Sequence, residues 1–223
     1  MSQLLDALNR ISDWLEAYYP KAADFRPGLS LERIQELTKD LPFKFPIELC
    51  ELYQWRNGGA RGPSFNAELF PDAWFRSLEE VIEEYNRILE NTFHEDERLM
   101  YLCRLTFISR GDAWFFMNCD KEDDESNQLI WLYQQGFYKV PCFKNLTQMM
   151  LTILECYETN VFYIDSNGYL DADWEKWSSS SILRELRDSN SDTVNHNDVE
   201  AKHLLRRWYE VITDWFSFFS GIK

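Results

Sequence analysis

The chain has 223 residues, 45% hydrophobic and 16% aromatic with 9 Trp, enough large apolar side chains for one sizeable core. Its formal charge of -15 argues against direct nucleic-acid binding, which needs clustered basic residues to displace counterions from phosphates. No apolar run approaches the roughly 18 residues that read as a membrane span, and Met1 to Leu8 lacks the basic region and apolar stretch of a secretory signal.

In chain order, Leu4, Leu8, Ile11, Leu15 and Tyr18 recur at helical spacing with Trp14 beside them, which predicts an amphipathic first helix stopped by Pro20. Phe25-Arg-Pro-Gly28 reads as a turn. Ser30 then caps a short helix whose apolar positions are Leu31, Ile34 and Leu37. The segment Leu41 to Gly59 is the most specific on the chain. Pro46 suits the first helical position, where its missing N–H needs no partner. Leu49, Leu52 and Tyr53 share one face, Glu48 and Glu51 point elsewhere, and Trp55 is an aromatic anchor. Asn57 and Gly58 tolerate a left-handed helix stop. A loop of turn residues follows from Gly59 to Pro63.

Ser77 with Glu80 is a capping box that starts a helix through Leu78, Ile82, Tyr85 and Leu89. The period then changes. Leu105 to Ser109, Ala113 to Met117 and Gln128 to Tyr133 are short, aromatic and β-branched runs that predict antiparallel strands, with Phe137 to Val140 adding another. Asn145 with Gln148 starts a helix through Met149, Met150, Ile153, Leu154 and Tyr157. Val161 to Ile164, a turn at Asp165 to Gly168, and Tyr169-Leu170 read as strand and turn. Asp188 to Asp198 is polar and aperiodic, a linker. Leu204, Trp208, Val211, Trp215 and Phe219 then predict a C-terminal amphipathic helix. This order gives an α+β domain, N-terminal helices followed by an antiparallel-rich sheet with packed helices, plus the C-terminal helix. The domain spans residues 1–187, the linker 188–198 and the terminal helix 199–223.

Little in the residues points to a reaction. Cys50, Cys103, Cys119, Cys142 and Cys156 have no zinc spacing and read as reduced thiols of a cytoplasmic protein. His94, His196 and His203 have no second His at metal spacing, and no phosphate-binding or nucleophile-elbow motif occurs. Asp165-x-Asn167-Gly168-x-x-Asp171 has its glycine and its twelfth position wrong for a calcium loop, and is read as a β-turn. No catalytic residue, metal ligand or cofactor is assigned.

The order of Trp14, Arg26-Pro-Gly28, Ser30-Leu-Glu-Arg-Ile34, Leu41-Pro, Phe45-Pro-Ile-Glu-Leu49, Leu52-Tyr53, Trp55-Arg-Asn-Gly58 and Ser77-Leu-Glu-Glu80 resembles the SUKH superfamily, also called the Smi/Knr family. The likeness is good from about residue 10 to 110, thinner to about 170, and does not include the C-terminal tail. It implies an α+β fold without an established catalytic site, acting through protein contacts. Many bacterial members look like immunity proteins that neutralise nuclease or deaminase toxins, and fungal members regulate cell-wall synthesis. Pro46, Leu49, Leu52, Tyr53, Trp55, Asn57 and Gly58 carry over as fold-defining residues. The expected function is therefore non-enzymatic protein binding, with a basic toxin domain as the sharper form of partner and a regulatory scaffold as the alternative. Expected contact residues are the acidic loop Glu122, Asp123, Asp124 and Glu125, then Arg61 in the Gly59–Pro63 loop, and Trp208 and Trp215 of the terminal helix, through which a homodimer could also form.

Overall fold

A computed structural model describes residues 2–19, 25–59, 68–71, 73–91, 104–110, 113–119, 130–134, 140–173 and 175–176. The elements in chain order begin with α1 (Gln3–Tyr18), β1 (Phe25–Pro27), α2 (Leu31–Thr38), α3 (Ile47–Trp55) and β2 (Arg56–Gly59). Next come β3 (Glu68–Phe70), β4 (Ala73–Phe75), α4 (Leu78–Asn91), β5 (Arg104–Arg110), β6 (Ala113–Asn118), β7 (Ile130–Gln134) and β8 (Val140–Phe143). The last are α5 (Leu146–Glu158), β9 (Phe162–Ile164) and β10 (Leu170–Ala172). The fold is α+β. Strands β3 to β8 form a six-stranded antiparallel meander in sequence order, while β1–β2 and β9–β10 are separate antiparallel pairs.

Helix α1 follows its sequence period. Leu4, Leu8, Ile11 and Leu15 are all buried and face α3 and α5. Each such side chain, taken fully out of water, contributes about 1.5–3 kcal/mol before the entropy of ordering it. Tyr18, expected on this face, is instead 64% exposed, because it falls at the helix end and its ring rests on Trp14 at 5.0 Å. Helix α2 buries Ile34 alone. Leu31, expected beside it, is 45% exposed at the first helical position. Ser30 caps α2 by accepting from the Arg33 N–H at 3.2 Å, and Asn145 caps α5 by accepting from the Gln148 N–H at 2.8 Å. The Ser77–Glu80 box is complete: Ser77 N–H donates to the Glu80 carboxylate at 3.0 Å and Glu80 N–H to Ser77 Oγ at 3.3 Å.

Two sequence expectations fail together around residue 27 and residue 57. Phe25 to Pro27 is a strand rather than a turn, and Arg56 to Gly59 is its antiparallel partner rather than a helix stop. Arg56 already has extended dihedrals, φ -150 and ψ 152. The chain leaves α3 straight into β2 because β1 offers it a ladder, which no local pattern encodes. Gly28, just past β1, lets the chain lie against the end of α3: a Cβ there would sit 1.8 Å from the Gln54 carbonyl oxygen. Strands β3 and β4 fall where the sequence pattern predicts no element, and β7 runs Ile130–Gln134. Strand β8, Val140–Phe143, shares only Val140 with the strand expected at Phe137 to Val140, and residues 135–139 lie outside the described residues.

Candidate functional site

The block from Pro46 to Gly58 joins most of the helices to one another. Pro46 is the N-cap of α3, one residue before the predicted position, with φ -62 and ψ 138. Its ring fixes φ near this value whether the residue lies just before or just inside the helix. Its carbonyl accepts from the Cys50 N–H at 2.9 Å. Leu49, Leu52 and Tyr53 are fully buried, and Trp55 nearly so. The Tyr53 ring stacks on Phe75 at 5.5 Å and its hydroxyl donates to the Arg76 carbonyl at 3.3 Å, so its phenol is held far above its ordinary pKa by burial. Trp55 Nε1 donates to Asn9 Oδ1 of α1 at 3.0 Å, and its ring lies against Phe25 at 5.5 Å.

The polar residues of the block reach helix starts. Glu48 lies off the apolar face of α3, as expected, but it is not merely solvated. Its carboxylate accepts from the N–H of Leu146 at 2.9 Å and of Thr147 at 3.1 Å, and from the Thr147 hydroxyl, at the first turn of α5. A carboxylate at this position satisfies N–H groups that a helix leaves unpaired and meets the positive end of its dipole. Glu51 accepts from the hydroxyl of Ser2, the N-cap of α1, at 2.6 Å. Asn57 is 4% exposed; its Oδ1 accepts from the Leu78 N–H at 2.8 Å and its Nδ2 donates to Glu79 at 2.9 Å, both in the first turn of α4. Gly58 has φ +67, and a Cβ on it would lie 2.4 Å from the Ser77 nitrogen. No local sequence pattern points to these roles of Glu48, Glu51 and Asn57. Their partners lie 98, 49 and 21 residues away, so only the acid and amide types could have hinted at capping.

The reactive residue types that are described have no catalytic setting. Cys50, Cys119 and Cys156 are free thiols. Burial pushes the thiols of Cys50 and Cys156 up, with Glu51 and Glu155 adding to the effect, so both are less nucleophilic than an ordinary cysteine. Burial likewise holds the Tyr157 phenol well above its usual value, with its hydroxyl donating to the Leu69 carbonyl at 3.0 Å. Among the described residues no group of three or more His, Cys, Asp or Glu could hold a metal ion. Asp165 closes an Asx turn, its Oδ1 accepting from Asn167 N–H at 2.9 Å and Tyr169 N–H at 2.8 Å. Among the described residues no helix is long and apolar enough to cross a membrane.

The expected contact residues Arg61, Glu122, Asp123, Asp124, Glu125, Trp208 and Trp215 lie outside the described residues, as do His94, His196, His203, the linker 188–198 and the terminal helix 199–223. Two comparisons bear on the whole. A family model, the SMI1 / KNR4 family (SUKH-1), matches residues 28–152. No curated protein matches the chain.

Proposed function

The chain belongs to the SMI1 / KNR4 family (SUKH-1), and from that premise we propose that it binds another protein and, in the sharper form, neutralises a basic toxin domain of the nuclease or deaminase type. Domains of this family are immunity-protein-like or regulatory, generally non-enzymatic and protein-binding. Family membership is the observation that carries the proposal. The formal charge of -15 gives it direction, because an acidic surface favours a basic partner through steering and complementary contacts. The raised pKa of the Cys156 thiol and of the Tyr53 and Tyr157 phenols fits a scaffold rather than a reaction centre.

Within this proposal Pro46, Leu49, Leu52, Tyr53, Trp55, Asn57 and Gly58 serve the scaffold. Arg61, the loop from Glu122 to Glu125, Trp208 and Trp215 are the proposed contacts, on a domain of residues 1–187 followed by a linker and a terminal helix. The free thiols Cys50, Cys119 and Cys156 fit a cytoplasmic setting. The second proposal is a regulatory or scaffold protein. Residues 153–223 fall outside the family match, and a small neutralising domain has no need of the segment beyond residue 188. Affinity capture with the full chain tests both. A basic toxin domain, held in stoichiometric complex and released by salt, is the expected result. Capture of acidic partners only, or binding indifferent to salt, sinks the electrostatic form.

A further inference from the structure

The β9–β10 hairpin lies beside the C-terminal end of α1. Tyr163 and Asp171 are cross-strand neighbours on the solvent side of the hairpin, while Phe162, Leu170 and Ala172 point inward and are buried. The same register sets Tyr169 opposite Asp165 and Asp173 opposite Val161, with the Asp165 N–H on the Tyr169 carbonyl at 2.8 Å and the Asp173 N–H on the Val161 carbonyl at 2.7 Å, which brings the three carboxylates to the side of Tyr163. Tyr19, just past α1, is half-buried against the core on the hairpin side. Tyr169 is 64% exposed and Tyr163 is 36% exposed. Aromatic rings and carboxylates therefore alternate across one outward face. Lys176, paired with Asp173 at 3.2 Å, is a cation at its rim, and the last turn of α1 holds no basic residue.

We infer that this face, built on Tyr163, Tyr169, Asp165, Asp171 and Asp173, docks an arginine- or lysine-bearing segment of the protein partner. The inference rests on the protein-binding reading above. Charge complementarity selects the occupant. A guanidinium lying on a tyrosine face gains the attraction of the ring quadrupole, and a carboxylate beside the ring completes the pairing. Tyrosine and arginine are also the residues that concentrate binding energy at interfaces. A nucleic acid, an anionic membrane or a second copy of this acidic chain would bring like charge to the same face and be repelled. None of these residues, Lys176 at the rim included, lies within the matched span 28–152, so the face can differ between relatives that share the scaffold.

A fluorescent nona-arginine peptide titrated into the full chain at physiological ionic strength provides the test. Three double variants are compared with the parent, each checked for parental circular dichroism. Tyr163→Ser with Tyr169→Ser removes rings and keeps charge; Asp171→Asn with Asp173→Asn removes two charges here; Glu32→Gln with Glu36→Gln removes two charges on α2. Each lost exposed cation–π contact corresponds to severalfold in affinity, so the tyrosine pair is expected to weaken binding about tenfold. The hairpin charge pair is expected to weaken it comparably, and the α2 pair less than about twofold. Equal losses from the two charge pairs, or no loss from the tyrosine pair, would mean non-specific attraction to a polyanion and overturn the inference. Carbodiimide cross-links from Asp171 or Asp173 to Lys202 or Lys223 in the free protein would assign the face to the chain's own tail and also overturn it. A captured toxin whose affinity ignores the hairpin variants rejects this face while leaving the proposed function intact. Peptide binding that follows the expected order, with no protein captured, upholds the face and rejects the function.

Discussion

Replacing Asn57 with alanine would leave the Leu78 N–H without its acceptor at 2.8 Å and Glu79 without its donor at 2.9 Å, inside a pocket that leaves Asn57 only 4% exposed. An orphaned buried N–H costs about 1–3 kcal/mol, and losing a helix cap falls in the same range. Asn57→Ala should therefore lower unfolding stability by about 2 kcal/mol, seen as a lower urea midpoint at unchanged slope. Gly58→Ala should cost at least as much for a different reason. The new Cβ would lie 2.4 Å from the Ser77 nitrogen, and φ +67 is a conformation that L side chains disfavour by roughly 1–2 kcal/mol even in open space. Neither Ser77 nor Arg76 can yield, since the atoms met are backbone. A variant as stable as the parent at either position would remove the steric and capping account of this block.

At the scale of an element, Glu48 ties α3 to the start of α5. Glu48→Gln keeps one acceptor oxygen for the start of α5 but loses the second oxygen and the charge at the helix N-terminus, an expected loss of about 1–2 kcal/mol. Because α5 buries Met149, Met150, Ile153, Leu154 and Tyr157, amide exchange should accelerate across that helix before the sheet opens. The β9–β10 hairpin should respond to acid. Backbone hydrogen bonding from Tyr169, with further bonds from Asn167 and Gly168, holds the Asp165 carboxyl below its ordinary range. That contribution is present above the ordinary pKa of about 4 and is lost as pH falls through the lower folded value. The Tyr169 and Asn167 amide resonances should shift together in this acid window, and Asp165→Asn should abolish the step. Elements differ equally in what sequence discloses. Ser30, Ser77–Glu80 and Asn145 were legible because cap and capped N–H lie within three residues. The aromatic runs of β5 and β6 were legible because they are six or seven residues long. Strands β1 to β4 span three or four residues, too few for a period to register, and Arg56-Asn-Gly-Gly59 mimics a helix stop. The acidic and aromatic types of the hairpin face were visible, but not the register that sets Tyr163 opposite Asp171.

For the whole molecule, the formal charge of -15 has two consequences of opposite sign. Like charges spread over one folded chain repel, so charge self-repulsion opposes the compact state. Added salt shortens the screening length to about 8 Å at physiological ionic strength, weakening repulsion between distant carboxylates more than hydrogen-bonded contacts such as Glu48 on α5. The melting temperature should therefore rise by a few degrees between low and physiological salt, at fixed pH and protein concentration. Association with a basic partner draws on the same field with the sign reversed, since the partner gains from the carboxylates that the fold must tolerate. Its on-rate should fall over the same salt range while the off-rate changes little, because steering acts at long range and dissociation is governed by close contacts. Stability and association moving in opposite directions with salt is the signature of a scaffold whose charge serves a partner. If both rise with salt, association is driven by apolar burial; if neither moves, the charge serves neither stability nor recognition.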